Sequence, residues 1–153
     1  MKIEYINPFL MACADVVNQM CQINIERGKP FIKKGTFPIE SVAVSVGIAG
    51  EVKGEVLYCM NKETAFHVAS LLMCGMEVIE FHDLCKSAIS ELGNIITGHA
   101  SIELSKMGHN IDITPPKVLV GQEIQVFMPN AVTICVPMKL TDRYVIDINV
   151  SLK

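Results

Sequence analysis

The run Ser87-Ala88-Ile89-Ser90-Glu91-Leu92-Gly93-Asn94-Ile95-Ile96-Thr97-Gly98-His99-Ala100 places the strongest demand on how this chain can fold. Wound as a helix, at about 100° per residue, it divides into two unlike sides. Leu84, Ala88, Leu92, Ile95, Ile96 and Ala100 fall on one side, with Ile89 and Ile102 at its margins. Ser87, Ser90, Asn94, Thr97, Ser101 and Ser105 fall on the other, with Glu91 and Gly98 at its edge. The apolar side needs cover from the rest of the protein. The other side lacks the long Lys, Glu and Arg side chains of an ordinary solvated face. It is short and small, with one carboxylate and one carboxamide standing out of it. Glu91 and Asn94 are i and i+3, hence neighbours on the surface. Such a face lets another protein approach closely and offers it two functional groups. Gly93 and Gly98 each cost about 1 kcal/mol of helix stability against Ala. Their presence inside one helix predicts close approach by another element or by a partner.

The rest of the chain reads as helix, strands, helix, this long helix, then strands. Apolar positions Phe9, Leu10, Cys13, Val16, Val17, Met20 and Ile23 predict a first helix from Pro8 to about Ile25, stopped by Arg27-Gly28-Lys29-Pro30. A short extended piece, Pro30 to Phe37, follows. Val42 to Ile48 is rich in β-branched residues, and Glu55 to Met60 returns as its hairpin partner. Asn61 is a good N-cap for a helix from Lys62 to about Met73. His82 or Asp83 opens the long helix, which runs to about Met107 before Gly108. Four strands are predicted after it: Lys117–Val120, Glu123–Met128, Ala131–Met138 and Tyr144–Leu152, the last with a phase slip at Ile146-Asp147. Hairpin-length links predict an α+β fold, a largely antiparallel sheet with long helices packed on one face.

With 153 residues, half of them apolar, and no linker or low-complexity segment, residues 1–153 read as one domain with a proper core. A net charge of -3 gives no support to a nucleic-acid or anionic-membrane surface. The first apolar stretch, Ile6 to Met20, is broken by Asn7, Pro8, Asp15, Asn18 and Gln19, so neither a signal peptide nor a membrane span is expected. The six cysteines show no CxxC spacing and read as reduced core or near-core thiols of a cytoplasmic protein. The four histidines have no HxxH spacing, so no metal site is expected. Cys85 beside His82 or His99 does not make a catalytic pair, because proximity along a helix does not build a triad.

Two segments carry a family resemblance. Glu91-Leu92-Gly93-Asn94, followed by Thr97-Gly98-His99-Ala100, resembles the signature helix of the CheC/CheX/FliY family of chemotaxis phosphatases. Asp112-Ile113-Thr114-Pro115-Pro116-Lys117-Val118-Leu119-Val120-Gly121 is similar to the D-I-T-P-P-x-V-x-x-G segment of CheX proteins, and Gly47, Gly50 and Gly54 sit as in their first hairpin. Length and element order match CheX over nearly the whole chain.

The resemblance implies hydrolysis of the aspartyl phosphate of a CheY-like response-regulator receiver, by a homodimer that needs no metal of its own because the receiver brings Mg²⁺. Asn94 would orient the attacking water, and Glu91 would pair with the receiver's active-site lysine. Ser87, Ser90, Thr97, Gly98 and Ser101 would then be partner contacts, although the small hydroxyl residues could equally be packed under another element. A non-catalytic receiver-binding or dimerisation module is the competing reading. CheC-type members carry two such helices. Asp15-Val16-Val17-Asn18 in the first helix is a shortened echo of the motif, better accounted for as solvated or capping polar residues.

Overall fold

A computed structural model describes residues 2–153, with 129–131 described by their backbone alone. A 3-10 turn, Ile3–Tyr5, leads into α1 (Asn7–Cys21), then β1 (Glu26–Arg27), β2 (Phe31–Ile39), β3 (Val42–Gly50), β4 (Gly54–Met60), α2 (Lys62–Leu72) and α3 (Asp83–Lys106). After α3 come β5 (Ile111–Ile113), β6 (Lys117–Val120), β7 (Ile124–Lys139) and β8 (Val145–Leu152). The strands form one sheet in the order β1-β7-β8-β4-β3-β5, with β2 also on β7 and β6 also on β3. All its pairings are antiparallel.

Strand alternation builds the core. Val42, Val44, Val46 and Ile48 of β3, Val56, Tyr58 and Met60 of β4, and Ile146, Ile148, Val150 and Leu152 of β8 point to one face. There they meet Phe9, Leu10, Cys13, Val16 and Val17 of α1 and Ile89, Leu92, Ile96, Ala100 and Leu104 of α3. Each fully buried aliphatic side chain contributes about 1.5–3 kcal/mol to that packing. The sheet curls, so the outer part of β7 and the end of β2 cover part of its other face. Phe37, Ile39 and Met128 close there over Ala43, Leu57 and Cys59 in a second, smaller cluster.

Several expectations change in three dimensions. Helix α1 ends at Cys21, because Gln22 takes the left-handed conformation (φ 57°) and its N–H bonds Asn18 O at 2.9 Å. Ile23 and Ile25 pack on the core from the irregular segment that follows instead. The two strands expected at 123–128 and 131–138 are one sixteen-residue strand, because β2 pairs along it on both sides of a bulge between Lys34 and Thr36. In β8 there is no phase slip: Val145 shares the face of Asp147, Asn149 and Ser151, and Ile146 belongs with Ile148. The Asp112-to-Val120 segment is the sheet edge. Its β5 part pairs with Ile48–Gly50 and its β6 part with Val42–Ser45. Between them Thr114 accepts the Gly47 N–H on its Oγ1 at 2.8 Å and donates its own N–H to Gly47 O at 2.9 Å. A Cβ at position 47 would lie 2.9 Å from that hydroxyl, which accounts for glycine there. Pro115 and Pro116, lacking N–H groups, suit the break between the two pairings.

Candidate functional site

Helix α3 is fixed at both ends and along its inner face. His82 caps the start, its Nδ1 accepting the Cys85 N–H at 3.4 Å; Lys106 and then Gly108 (φ 92°) mark the end. Gly93 lies so close to the sheet that a Cβ there would stand 2.7 Å from Val44 Cγ1 and 3.3 Å from Tyr58 Cδ2. One turn on, the Thr97 hydroxyl donates to Gly93 O at 2.7 Å, which leaves it to accept from Tyr58 Oη, also at 2.7 Å. Burial pushes the Tyr58 phenol far above its usual range, only partly offset by the Thr97 hydrogen bond, so it remains a neutral donor.

Thr97 is therefore not a partner contact but one of the hydroxyl residues packed under another element. It is fully buried and tethers the helix to the sheet, because position 97 continues the inward row Ile89–Gly93 by one more turn. The other expected positions do reach the surface. Ser87 and Glu91 are exposed; Ser90, Asn94, Gly98 and Ser101 are half-buried. Ser101 turns its hydroxyl onto Gly98 O at 2.7 Å. A Cβ at Gly98 would meet nothing within 4 Å, in contrast to Gly93. Glu91 and Asn94 have neither hydrogen-bond nor ion-pair partners from other side chains among the described residues. The carboxylate and the amide stand side by side, uncommitted, on a helix whose opposite face is packed and hydrogen-bonded to the sheet.

The outer face is also less purely polar than the sequence suggested. Leu84 is 57% exposed and Ile102 55%, and Ile95 is half-buried. Leu84, Glu91, Ile95, Gly98 and Ile102 follow spacings of seven, four, three and four, one stripe along the helix. The spacing carries this signal, since Leu84, Ile95 and Ile102 all fall within about 40° of Glu91 around the helix. Met11 of α1, itself 55% exposed, meets Ile102 across a groove of about 230 Å³ that Ala12, Asp15, His99 and Glu103 complete. Asp15 and Asn18 are both exposed, but the Asn18 amide donates to Asn24 Oδ1 at 2.8 Å.

The thiols sort by burial. Desolvation pushes Cys13 and Cys59 up to about 12 and Cys135 to about 11, so they remain protonated core groups. Cys85, with Sγ 3.5 Å from His82 Nε2, is sealed from solvent and belongs to the helix cap. Cys74 differs from the expectation of core thiols in being exposed. Among the described residues no three His, Cys, Asp or Glu side chains gather as a metal-holding group. Among the described residues no helix is long and apolar enough to cross a membrane.

The family described as chemotaxis phosphatase CheX matches residues 42–139, from β3 through α3 to the end of β7. The whole chain is 29% identical to the CheY-P phosphatase CheX of Thermotoga maritima and covers 98% of it. Among solved structures, CheX of Borrelia burgdorferi, crystallised as a complex with CheY, BeF3 and Mg²⁺, is 35% identical over 99% of both chains, with a TM-score of 0.86. CheX of Desulfovibrio desulfuricans superposes with a TM-score of 0.88 at 26% identity, covering 99% of this chain and 100% of that one. The matched segment contains both the Gly47–Thr114 edge and the Glu91–Asn94 face, and the chain belongs to the CheX family of chemotaxis phosphatases.

Proposed function

We propose that this phosphatase hydrolyses the aspartyl phosphate of a CheY-like receiver, with Asn94 orienting the attacking water and Glu91 pairing with the receiver's active-site lysine. The observation that carries this reading is the pair of uncommitted side chains on a rigidly seated helix. Two relatives support the partner: one is a CheY-P phosphatase and the other was crystallised with CheY. Ser87, Ser90, Gly98 and Ser101 line the approach, with Thr97 excluded by its burial.

Phosphoryl transfer demands positioning and charge stabilisation more than covalent help from the protein. Mg²⁺, supplied by the receiver, neutralises charge on the phosphoryl oxygens. The Asn94 amide can donate to and accept from one water without changing charge, which suits it to holding that water in line with phosphorus. The water oxygen bonds to phosphorus as the bond to the aspartyl oxygen breaks, releasing phosphate and a free carboxylate. The water proton leaves on phosphate or to solvent, since an amide is no base. Glu91, desolvated on docking, gains a charge-assisted hydrogen bond to the lysine that sets the register of the helix.

The test is the decay of receiver phosphate with and without the protein. Acceleration by the wild type and its loss in Asn94→Ala, with the fold intact, is the expected result. Full activity in that variant removes the water-orienting role, and binding without acceleration makes this a capture module. Family likeness also supports a homodimer in the cytoplasm. A single monomeric species in sedimentation at working concentration removes the first part, and fractionation with the membrane removes the second.

A further inference from the structure

The groove between α1 and α3 plays no part in the chemistry assigned to Glu91 and Asn94, and Ile102 joins it to the Glu91 edge of their face. Ile102 forms one of its walls and is also the last member of the stripe through Glu91, Ile95 and Gly98. Met11 and Ile102 leave more than half of two large apolar side chains in water. The mouth is acidic. Glu103 is held by Lys106 at 2.8 Å, whereas Asp15 is exposed and has no ion-pair partner among the described residues. His99 is the remaining titratable group facing the groove.

We propose that this groove is a second contact for the docked receiver, taking one of its lysine or arginine side chains. The alkyl stem lies on Met11 and Ile102, and the cationic head meets Asp15. The inference rests on the receiver reading above and extends it to α1. Glu91 and Asn94 are only about 5–6 Å apart at their Cβ atoms. A rigid partner held at two such close points can still swing about them. Ile102 lies eleven residues beyond Glu91, about 16 Å along the axis at 1.5 Å per residue, so a contact there removes the swing. In the reading above Glu91 and Asn94 fix the reacting geometry, so this third point acts on affinity and on the orientation of encounter. Apolar walls with one unpaired carboxylate match the chemistry of a long cationic side chain, whose stem buries while its head stays at the rim. On this view Asp15 binds the partner, and is not a remnant of a second catalytic pair.

The experiment uses the full chain and a CheY-type receiver, phosphorylated for kinetics and activated with beryllofluoride for binding. Asp15→Lys should raise KM and Kd about 10-fold while kcat holds within about twofold, as for a charge acting on encounter and orientation. Ile102→Ser should move KM and Kd in the same direction. Asp15→Asn should flatten the salt dependence of association. Asp142→Lys, the same charge change on an exposed turn outside the groove, should alter none of these. Both residues are largely exposed, so circular dichroism should show every variant folded. If Asp15→Lys and Ile102→Ser bind like a wild type that does accelerate decay, the groove contact is wrong and the phosphatase reading stands. If the wild type binds but does not accelerate decay, the phosphatase reading fails while the Kd series still decides the groove. A wild type that does not bind overturns both.

Discussion

Helices α1 and α3 both pack on the same sheet face, and both carry a carboxylate followed three places later by an asparagine. In α1 these are Asp15 and Asn18; in α3 they are Glu91 and Asn94. The two residues between point inward in each case: Val16 and Val17 in α1, Leu92 and Gly93 in α3. The helices differ in what is left free. Asn18 is tied to Asn24, at the end where Gln22 turns the chain. Asn94 sits mid-helix without a side-chain partner, over a glycine that lets the backbone come down onto Val44. Spacing alone therefore does not make a site. An available amide on a backbone held close to the sheet does, and α3 adds a tether through Thr97 and Tyr58.

The sharpest way to break this contrast is to remove each amide in turn. Asn94→Ala should lower the turnover of receiver phosphate about 100-fold, in line with loss of a positioning group, while Asn18→Ala leaves kcat unchanged. Equal losses in single-turnover assays would mean that both helices act.

The two glycines of α3 come next. Gly93→Ala should destabilise the protein by about 1–3 kcal/mol, because overpacking against Val44 outweighs the helix gain. Gly98→Ala should stabilise it by up to about 1 kcal/mol, since its Cβ enters open space. Urea titrations of both variants check the sign, and two shifts of the same sign would contradict the inner and outer assignment. Gly98→Ala should nonetheless weaken receiver binding if a partner surface comes down on that residue.

Tyr58→Phe removes one hydrogen bond of the tether and leaves the other, from Thr97 to Gly93 O. The expected cost is about 1 kcal/mol in thermal or chemical unfolding. No change would show that the tether is idle and that α3 is held by packing alone.

The smallest effect is a rate of labelling. Cys13 of α1 and Cys85 of α3 are both fully buried, and Cys74 is exposed. An aromatic disulfide reagent should label Cys74 quickly, and Cys13 and Cys85 only after unfolding. Labelling of Cys85 at the rate of Cys74 would mean that the inner face of α3 is open, which removes the basis of the comparison.

Local chemistry made much of this readable in advance. Asn61 caps α2 by accepting the Thr64 N–H at 2.7 Å, α3 starts after His82, and β3 and β4 pair as the expected hairpin. Each depends on neighbours within a few positions. The same holds for Glu91 and Asn94, whose adjacency follows from helical pitch and whose family likeness is a matter of residue order. Side-chain periodicity also separates α3 into two faces, but it leaves open which way the helix is rolled. The sheet sets that angle. By admitting Gly93 against Val44 it turned Thr97 inward and brought Leu84 and Ile102 out.

Contacts between distant segments lay equally beyond the sequence. The unbroken course of β7 depends on β2 pairing along both of its halves, and the edge strand at Ile111–Ile113 on a threonine meeting a glycine sixty-seven residues away. The groove at Asp15 exists only where α1 crosses α3. Order and composition were enough to say which groups this chain has for its chemistry. Their orientation, and what lies beside them, came from long-range packing, because close-packed interiors choose among rotations and registers that local propensity leaves nearly equal in energy.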